Sequence, residues 1–109
     1  MKRGDVVVMV AQGDFGKPRP AVIVQTDMLN PTHSTILVCP ISSNSYEAQL
    51  YRIKIAPTKM NGLKKPSHIM ADKATALLKQ RIKKRIGCLT EDELMELEKS
   101  LGFVLGLAG

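Results

Sequence analysis

The apolar residues of this chain come in short, β-branched runs, and that pattern constrains its fold more than any other feature. Asp5-Val6-Val7-Val8-Met9-Val10-Ala11 lies between Gly4 and Gly13, Ala21-Val22-Ile23-Val24-Gln25 follows Pro20, and Thr35-Ile36-Leu37-Val38-Cys39 precedes Pro40. β-Branched side chains are stiff at χ1 and pack well on a pleated surface, whereas Gly and Pro interrupt a ladder, so each run reads as a strand. Residues 12–19 and 26–34, rich in Gly, Pro, Asn and Asp, read as connections. From Gln49 to Ala56 the pattern becomes an alternation, Tyr51, Ile53 and Ile55 against Leu50, Arg52 and Lys54. That period of two predicts a half-exposed strand with a basic outer face. His68–Ala71 and Lys83–Leu89 read as two further strands, with a turn or short helix between them.

One stretch departs from this pattern. Over residues 91–107, Leu94, Leu97, Leu101, Val104 and Leu105 keep the spacing of a helical stripe. Thr90 suits the N-cap, and Glu93 three residues on completes a capping box. Glu91, Asp92 and Glu93 also place negative charge at the positive end of the helix dipole, so these acids have a structural task. Six or so short strands followed by one helix predict a mainly β, α+β fold: a small, curved antiparallel sheet or barrel with a helix packed on it. Helices do not alternate with the strands, as a parallel α/β fold requires. At 109 residues the chain is one domain, 1–109, large enough to bury a core without a disulfide or a metal.

The 16 Lys and Arg outnumber the 10 Asp and Glu, for a formal net charge of +6. The excess is confined to residues 1–90, with fifteen bases and five acids; residues 91–109 hold one base and five acids. A cationic body suits a polyanion, nucleic acid first, or an acidic protein segment, with a solvated basic face as the lesser alternative. Cys39 and Cys88 stand far apart in apolar surroundings with no histidine near, so two reduced, packed thiols are expected and no metal site. No apolar run reaches membrane-spanning length, and none of signal-peptide type follows Met1-Lys2-Arg3, which predicts a cytoplasmic protein with no membrane partner.

Candidate chemistry is sparse, with no P-loop and no Ser-His-Asp spacing. His33 lies in a polar loop and His68 follows the Lys- and Gly-rich loop 58–67; either imidazole suits a general base, although a surface or structural histidine is the more frequent case. Arg19 sits between Pro18 and Pro20, which restrict the backbone on both sides. A guanidinium so held presents a fixed fork to a phosphate, or pairs with Asp5 or Asp14 at a strand edge. Pro40-Ile41-Ser42-Ser43-Asn44-Ser45 offers hydroxyls and an amide that suit phosphate oxygens, or a turn. Lys79-Gln80-Arg81-Ile82-Lys83-Lys84-Arg85 reads as a solvated face or a receiver of an acidic segment.

In order along the chain, Arg3-Gly4-Asp5-Val6-Val7, Gly16-Lys17-Pro18-Arg19-Pro20-Ala21-Val22-Ile23-Val24 and Pro40-Ile41-Ser42-Ser43 resemble the MazF/PemK-type toxins of bacterial type II toxin–antitoxin systems. So do Asn61-Gly62-Leu63 with Lys65 and Ser67, Asp72-Lys73, Ile86-Gly87-Cys88-Leu89 and the C-terminal helix. The resemblance runs end to end. It implies an SH3-like antiparallel barrel with a C-terminal helix, assembled as a homodimer. It also implies a metal-independent endoribonuclease, without cofactor, that cuts single-stranded RNA (mRNA) at short sequences by attack of the ribose 2′-OH. Arg19 then matches the family's catalytic arginine, which stabilises charge on the phosphate, and Ser42 stands where a catalytic threonine is usual. Phe15, Lys17, Ser43, Asn44, Lys64 and Lys65 are the expected RNA contacts, with Tyr46 a further residue able to stack. A cognate antitoxin with an acidic, disordered segment is the expected protein partner.

The chain also departs from the family. The loop before Arg19 is short and carries Asp14-Phe15, so cleavage specificity does not transfer. Asp72 matches an acidic residue used by some members, but Met70 stands where an arginine accompanies it there, which points to a structural Asp72. Two other readings fit the resemblance: a CcdB-like gyrase poison, or a non-catalytic SH3-like nucleic-acid-binding module. The first expects a tryptophan near the C-terminus, and this chain has none.

Overall fold

A computed structural model describes residues 1–11, 16–43 and 52–107 of the chain. Seven strands and one helix follow in order: β1 (Asp5–Val10), β2 (Pro18–Ile23), β3 (Thr35–Ser42), β4 (Arg52–Ile55), β5 (Ser67–Met70), β6 (Thr75–Leu78), β7 (Ile82–Cys88) and α1 (Glu91–Val104). All ladders between them are antiparallel. The strands run β4-β5-β3-β2-β1-β7 across one sheet, with β6 also paired to β3. Among the described residues no ladder joins the outer strands β4 and β7, so the mainly β architecture is a curled sheet rather than a closed barrel.

The β-branched runs are buried on both faces, which is why they are continuously apolar rather than alternating. Val6, Val22, Cys39, Ile41, Ile53, Ile69 and Leu97 belong to a core cluster beneath the helix. Val7, Met9, Ala21, Ile23, Ile36, Val38 and Leu77 form a second cluster on the opposite face. Successive residues of one strand thus serve different cores, as the two-residue period requires.

Of the differences from the sequence expectation, three bear on the site. β2 begins at Pro18, so Arg19 lies within the strand, opposite Met9, rather than in the loop before it. β3 continues through Pro40 to Ser42. The reason is a change of neighbour along its outer edge: pairing with β6 ends at Val38–Thr75, and pairing with β5 begins at Ile41–Ile69. Pro40 stands in that gap, where the missing N–H costs the outer ladder nothing. Between β5 and β7 the expected turn or helix is two 3-10 turns, Ala71–Lys73 and Lys79–Arg81, flanking the strand β6.

The helix starts as its sequence requires. The Thr90 hydroxyl accepts from the Glu93 N–H at 3.1 Å, and the Thr90 N–H donates to Glu93 Oε1 at 2.8 Å. Leu97 is fully buried and Leu94 and Leu101 pack against the core. The expected stripe ends there. α1 stops at Val104, and Val104 and Leu105 are 37% and 65% exposed because the last turn runs beyond the sheet it covers.

Candidate active site: a basic cavity at one end of the sheet

The start of β2, the end of β3 and the start of β5 converge with β1, β7 and the loop before β5 around a cavity of about 490 Å³. Lys17, Arg19, Lys64, Lys65 and Lys84 line it, with the hydroxyls of Ser42, Ser43 and Ser67. Val8, Pro20, Ile41, Leu63 and Ile86 supply an apolar floor, and no described lining residue is acidic. Cations and hydroxyl donors around a partly apolar recess suit a phosphodiester with an attached base.

The strands place the two central residues. The β2–β3 ladder pairs Ala21 with Pro40. Two residues further along each strand come Arg19 and Ser42, which therefore fall on one face of the sheet. Pro18 and Pro20 hold φ near −65° on either side of Arg19 and so narrow the directions its fork can take. Of the carboxylates considered as its partners, Asp5 is engaged elsewhere: it is buried, accepts from the Lys2 N–H at 2.8 Å and pairs with Arg85 at 3.0 Å. Asp14 lies outside the described residues, as do Phe15, Asn44, Tyr46 and Tyr51.

Lys64 and Lys65 are carried by a loop whose shape Asn61 enforces. The Asn61 carboxamide, 1% exposed, accepts from the N–H groups of Thr58 and Leu63 at 3.0 Å each and donates to the Ala56 carbonyl at 2.8 Å. Cys88 N–H donates to the Met60 carbonyl at 2.9 Å, which ties the loop to β7. Buried amides satisfied in this way hold a loop in one conformation.

Beside the cavity residues lies a second cluster. Arg52 Nε and Nη2 donate to the two carboxylate oxygens of Asp72 at 3.2 and 3.3 Å, and Arg52 Nη1 lies 3.3 Å from His68 Nε2. His68 is 6% exposed. Burial, and then the Arg52 charge, lower its pKa below the ordinary 6.5, with Asp72 opposing. Asp72 is thus paired with an arginine, which comes from β4 rather than from the Met70 position. Arg52 accordingly does not lie on a freely solvated basic face; Lys54 does. His33 is exposed in the loop before β3. Cys39 is buried and Cys88 partly so, both as free thiols.

Of the expected contact residues, Arg19, Ser42, Lys17, Ser43, Lys64 and Lys65 all line the one cavity. Lys84 joins them from the run read as a solvated face or acidic-segment receiver. The rest of that run divides: Lys79 Nζ donates to the Asn30 carbonyl, Arg81 reaches the Val10 carbonyl at 3.4 Å, and Arg85 binds Asp5. Among the described residues no group of three His, Cys, Asp or Glu could hold a metal ion, and no helix is long and apolar enough to cross a membrane.

A curled antiparallel sheet capped by one helix, with a basic, hydroxyl-lined recess at its end, defines a small protein equipped to grip an anionic chain. The family of PemK-like, MazF-like toxins of type II toxin–antitoxin systems matches residues 2–105, and the chain belongs to it. A protein of Mycolicibacterium smegmatis named as a probable endoribonuclease MazF is 37% identical over 110 residues, covering the whole of both chains. The endoribonuclease MazF of Staphylococcus epidermidis is 30% identical over 98% of this chain and 92% of its own. Among solved structures, a mycobacterial endoribonuclease in complex with its cognate antitoxin superposes with a TM-score of 0.85 at 18% identity, covering 100% of this chain and 98% of that one. A MazE–MazF structure from Deinococcus radiodurans reaches 0.79 at 22% identity, covering 99% and 97%. The shared fold is therefore that of the MazF toxins.

Proposed function

We propose that this protein is the toxin of a type II toxin–antitoxin pair and cleaves single-stranded RNA at the cavity. The observation that carries this reading is the convergence of Arg19, Ser42, Lys17, Lys64 and Lys65 on one recess, in a chain of this family. The ribose 2′-oxygen attacks the adjacent phosphorus, the P–O5′ bond breaks, and a 2′,3′-cyclic phosphate and a 5′-hydroxyl result. The 2′-OH gives up one proton and the departing 5′-oxygen takes one up, so the step is balanced without a metal or cofactor. Arg19 places its N–H fork on the phosphoryl oxygens as negative charge builds on them, and Ser42 donates a hydroxyl that orients the same phosphate. Lys17, Ser43, Lys64 and Lys65 hold the flanking phosphates, and the recess holds an unstacked base.

A homodimer in the cytoplasm, silenced by an acidic antitoxin segment laid along the same basic surface, completes the reading. The test is incubation of the purified protein with a long single-stranded RNA in EDTA, followed by mapping of the cut ends. Discrete cuts with cyclic phosphate termini, abolished in Arg19→Ala, are expected; intact RNA overturns the reading in favour of a binding module or a protein-directed poison. Light scattering should return twice the 12.0 kDa of one chain.

A further inference from the structure

Among the described residues, β5 pairs with the outer end of β3 at Ile41–Ile69 and Ser42–His68. His68 thus stands directly opposite Ser42 on this edge, while β2 holds β3 from the other side. Residues directly opposite in an antiparallel pair have Cβ atoms about 5 Å apart on one face, so His68 and Ser42 are cross-strand neighbours. On its other side His68 faces Lys54 of β4 in the same row.

Arg52 of β4 contacts this histidine and is itself held by Asp72 of the turn after β5. Both Asp72 oxygens are taken by Arg52, which leaves Nη1 directed at His68 Nε2. A guanidinium has donors and no acceptor, so Nε2 is the bare, accepting nitrogen and the single ring proton resides on Nδ1. A second ring proton would face a cation across 3.3 Å and remove the acceptor that Arg52 uses. Of the described charged groups on the elements packed against His68, Arg52 and Lys54 of β4 oppose that proton and Asp72 of the following turn favours it. β3 contributes only the neutral Ser42 at this row.

We propose that His68 is a positioning residue for Ser42: neutral and clamped by the Arg52–Asp72 pair, it fixes the short β3–β5 ladder, and its protonation loosens the cleavage site. The inference rests on Arg19 and Ser42 being the cleaving residues. Small displacements of a group that must meet a reacting phosphate lower turnover steeply, whereas the lysines that bind the flanking chain lie outside this ladder.

The test uses an RNA oligonucleotide spanning one mapped cut, with kcat and KM measured between about pH 5 and 8, across the range where a histidine titrates. His68→Leu keeps bulk but offers no acceptor, and it should lower kcat about tenfold with KM little changed. His68→Gln offers an acceptor that cannot be protonated, so it should recover most of that loss. The wild-type rate, divided by that of His68→Gln, should fall on acidification below 6.5, the ordinary value beneath which the His68 pKa lies. Parallel pH profiles for wild type and His68→Gln, or a change confined to KM, overturn the proposal. Should His68→Leu fail to fold, the comparison of wild type with His68→Gln decides. Arg19→Ala separates the two levels of reading. Cleavage retained there removes the assignment of the site itself, whereas cleavage lost there with unchanged His68 profiles removes only the role of His68.

Discussion

A Cβ on Gly62 would stand 2.2 Å from the carbonyl oxygen of Ile86. The loop that carries Lys64 and Lys65 thus meets β7 backbone to backbone, and Gly62 also adopts φ +71°, a region other residues rarely enter. From the other side, a Cβ on Gly87 would stand 2.2 Å from the Met60 carbonyl oxygen. These two glycines make the contact that fixes one wall of the cavity.

Gly62→Ala should therefore destabilise the fold by about 2 kcal/mol or more, because it adds both a strained φ and a clash with backbone that cannot move aside. Where enough folded protein remains, KM for RNA should rise more than kcat falls, since Lys64 and Lys65 shift relative to Arg19. Denaturant unfolding and steady-state cleavage check the two halves. An unchanged midpoint would show that β7 gives way easily.

Asn61→Ala leaves the Thr58 and Leu63 N–H groups and the Ala56 carbonyl without their partner in a buried place. The expected cost is about 1–3 kcal/mol, read as a lower urea midpoint at unchanged slope. Asn61→Asp keeps the acceptors but sets a carboxylate against the Ala56 carbonyl, so it should not restore stability.

The Cys39 thiol is pushed up to about 12 by burial and, secondarily, by the Asp72 carboxylate. The thiolate is the reactive form, so Cys39 should resist iodoacetamide at pH 8 in the native protein and react after unfolding. Peptide mass spectrometry distinguishes it from Cys88. Rapid native labelling of Cys39 would contradict its burial.

Thr90→Ala removes half of the capping box and should cost about 1 kcal/mol. Leu97→Ala empties a fully buried position beneath α1 and should cost about 2–5 kcal/mol. Chemical denaturation should rank the two in that order.

His68 also predicts how stability depends on pH. Its folded pKa lies below the unfolded value of 6.5, so its contribution is complete above 6.5 and is lost as pH falls through the folded value. Between about pH 7 and 5, the wild-type unfolding midpoint should drop further than that of His68→Gln, in which this group no longer titrates.

The β-branched runs of β1, β2 and β3 and the capping box of α1 were legible in the chain because each signal is local. A strand buried on both faces shows as consecutive apolar residues, and an N-cap acts within three positions of itself. Thr75-Ala76-Leu77-Leu78 carries no such mark, and it becomes β6 only because the edge of β3 offers a partner. Val104 and Leu105 continue the helical stripe, but nothing in their spacing tells where the sheet beneath them ends.

The sequence by itself therefore determined the strand-rich class, the single C-terminal helix, the cationic body and, through resemblance, the candidacy of Arg19 and Ser42 as cleaving residues. Only the tertiary structure decided that Lys84 lines their cavity, that Arg52 rather than a residue at position 70 partners Asp72, and that His68 stands beside Ser42. Those relationships join residues from 20 to 65 positions apart, and strand register sets them. Register depends on how two faces of the sheet bury their side chains together, which no local stretch of sequence encodes.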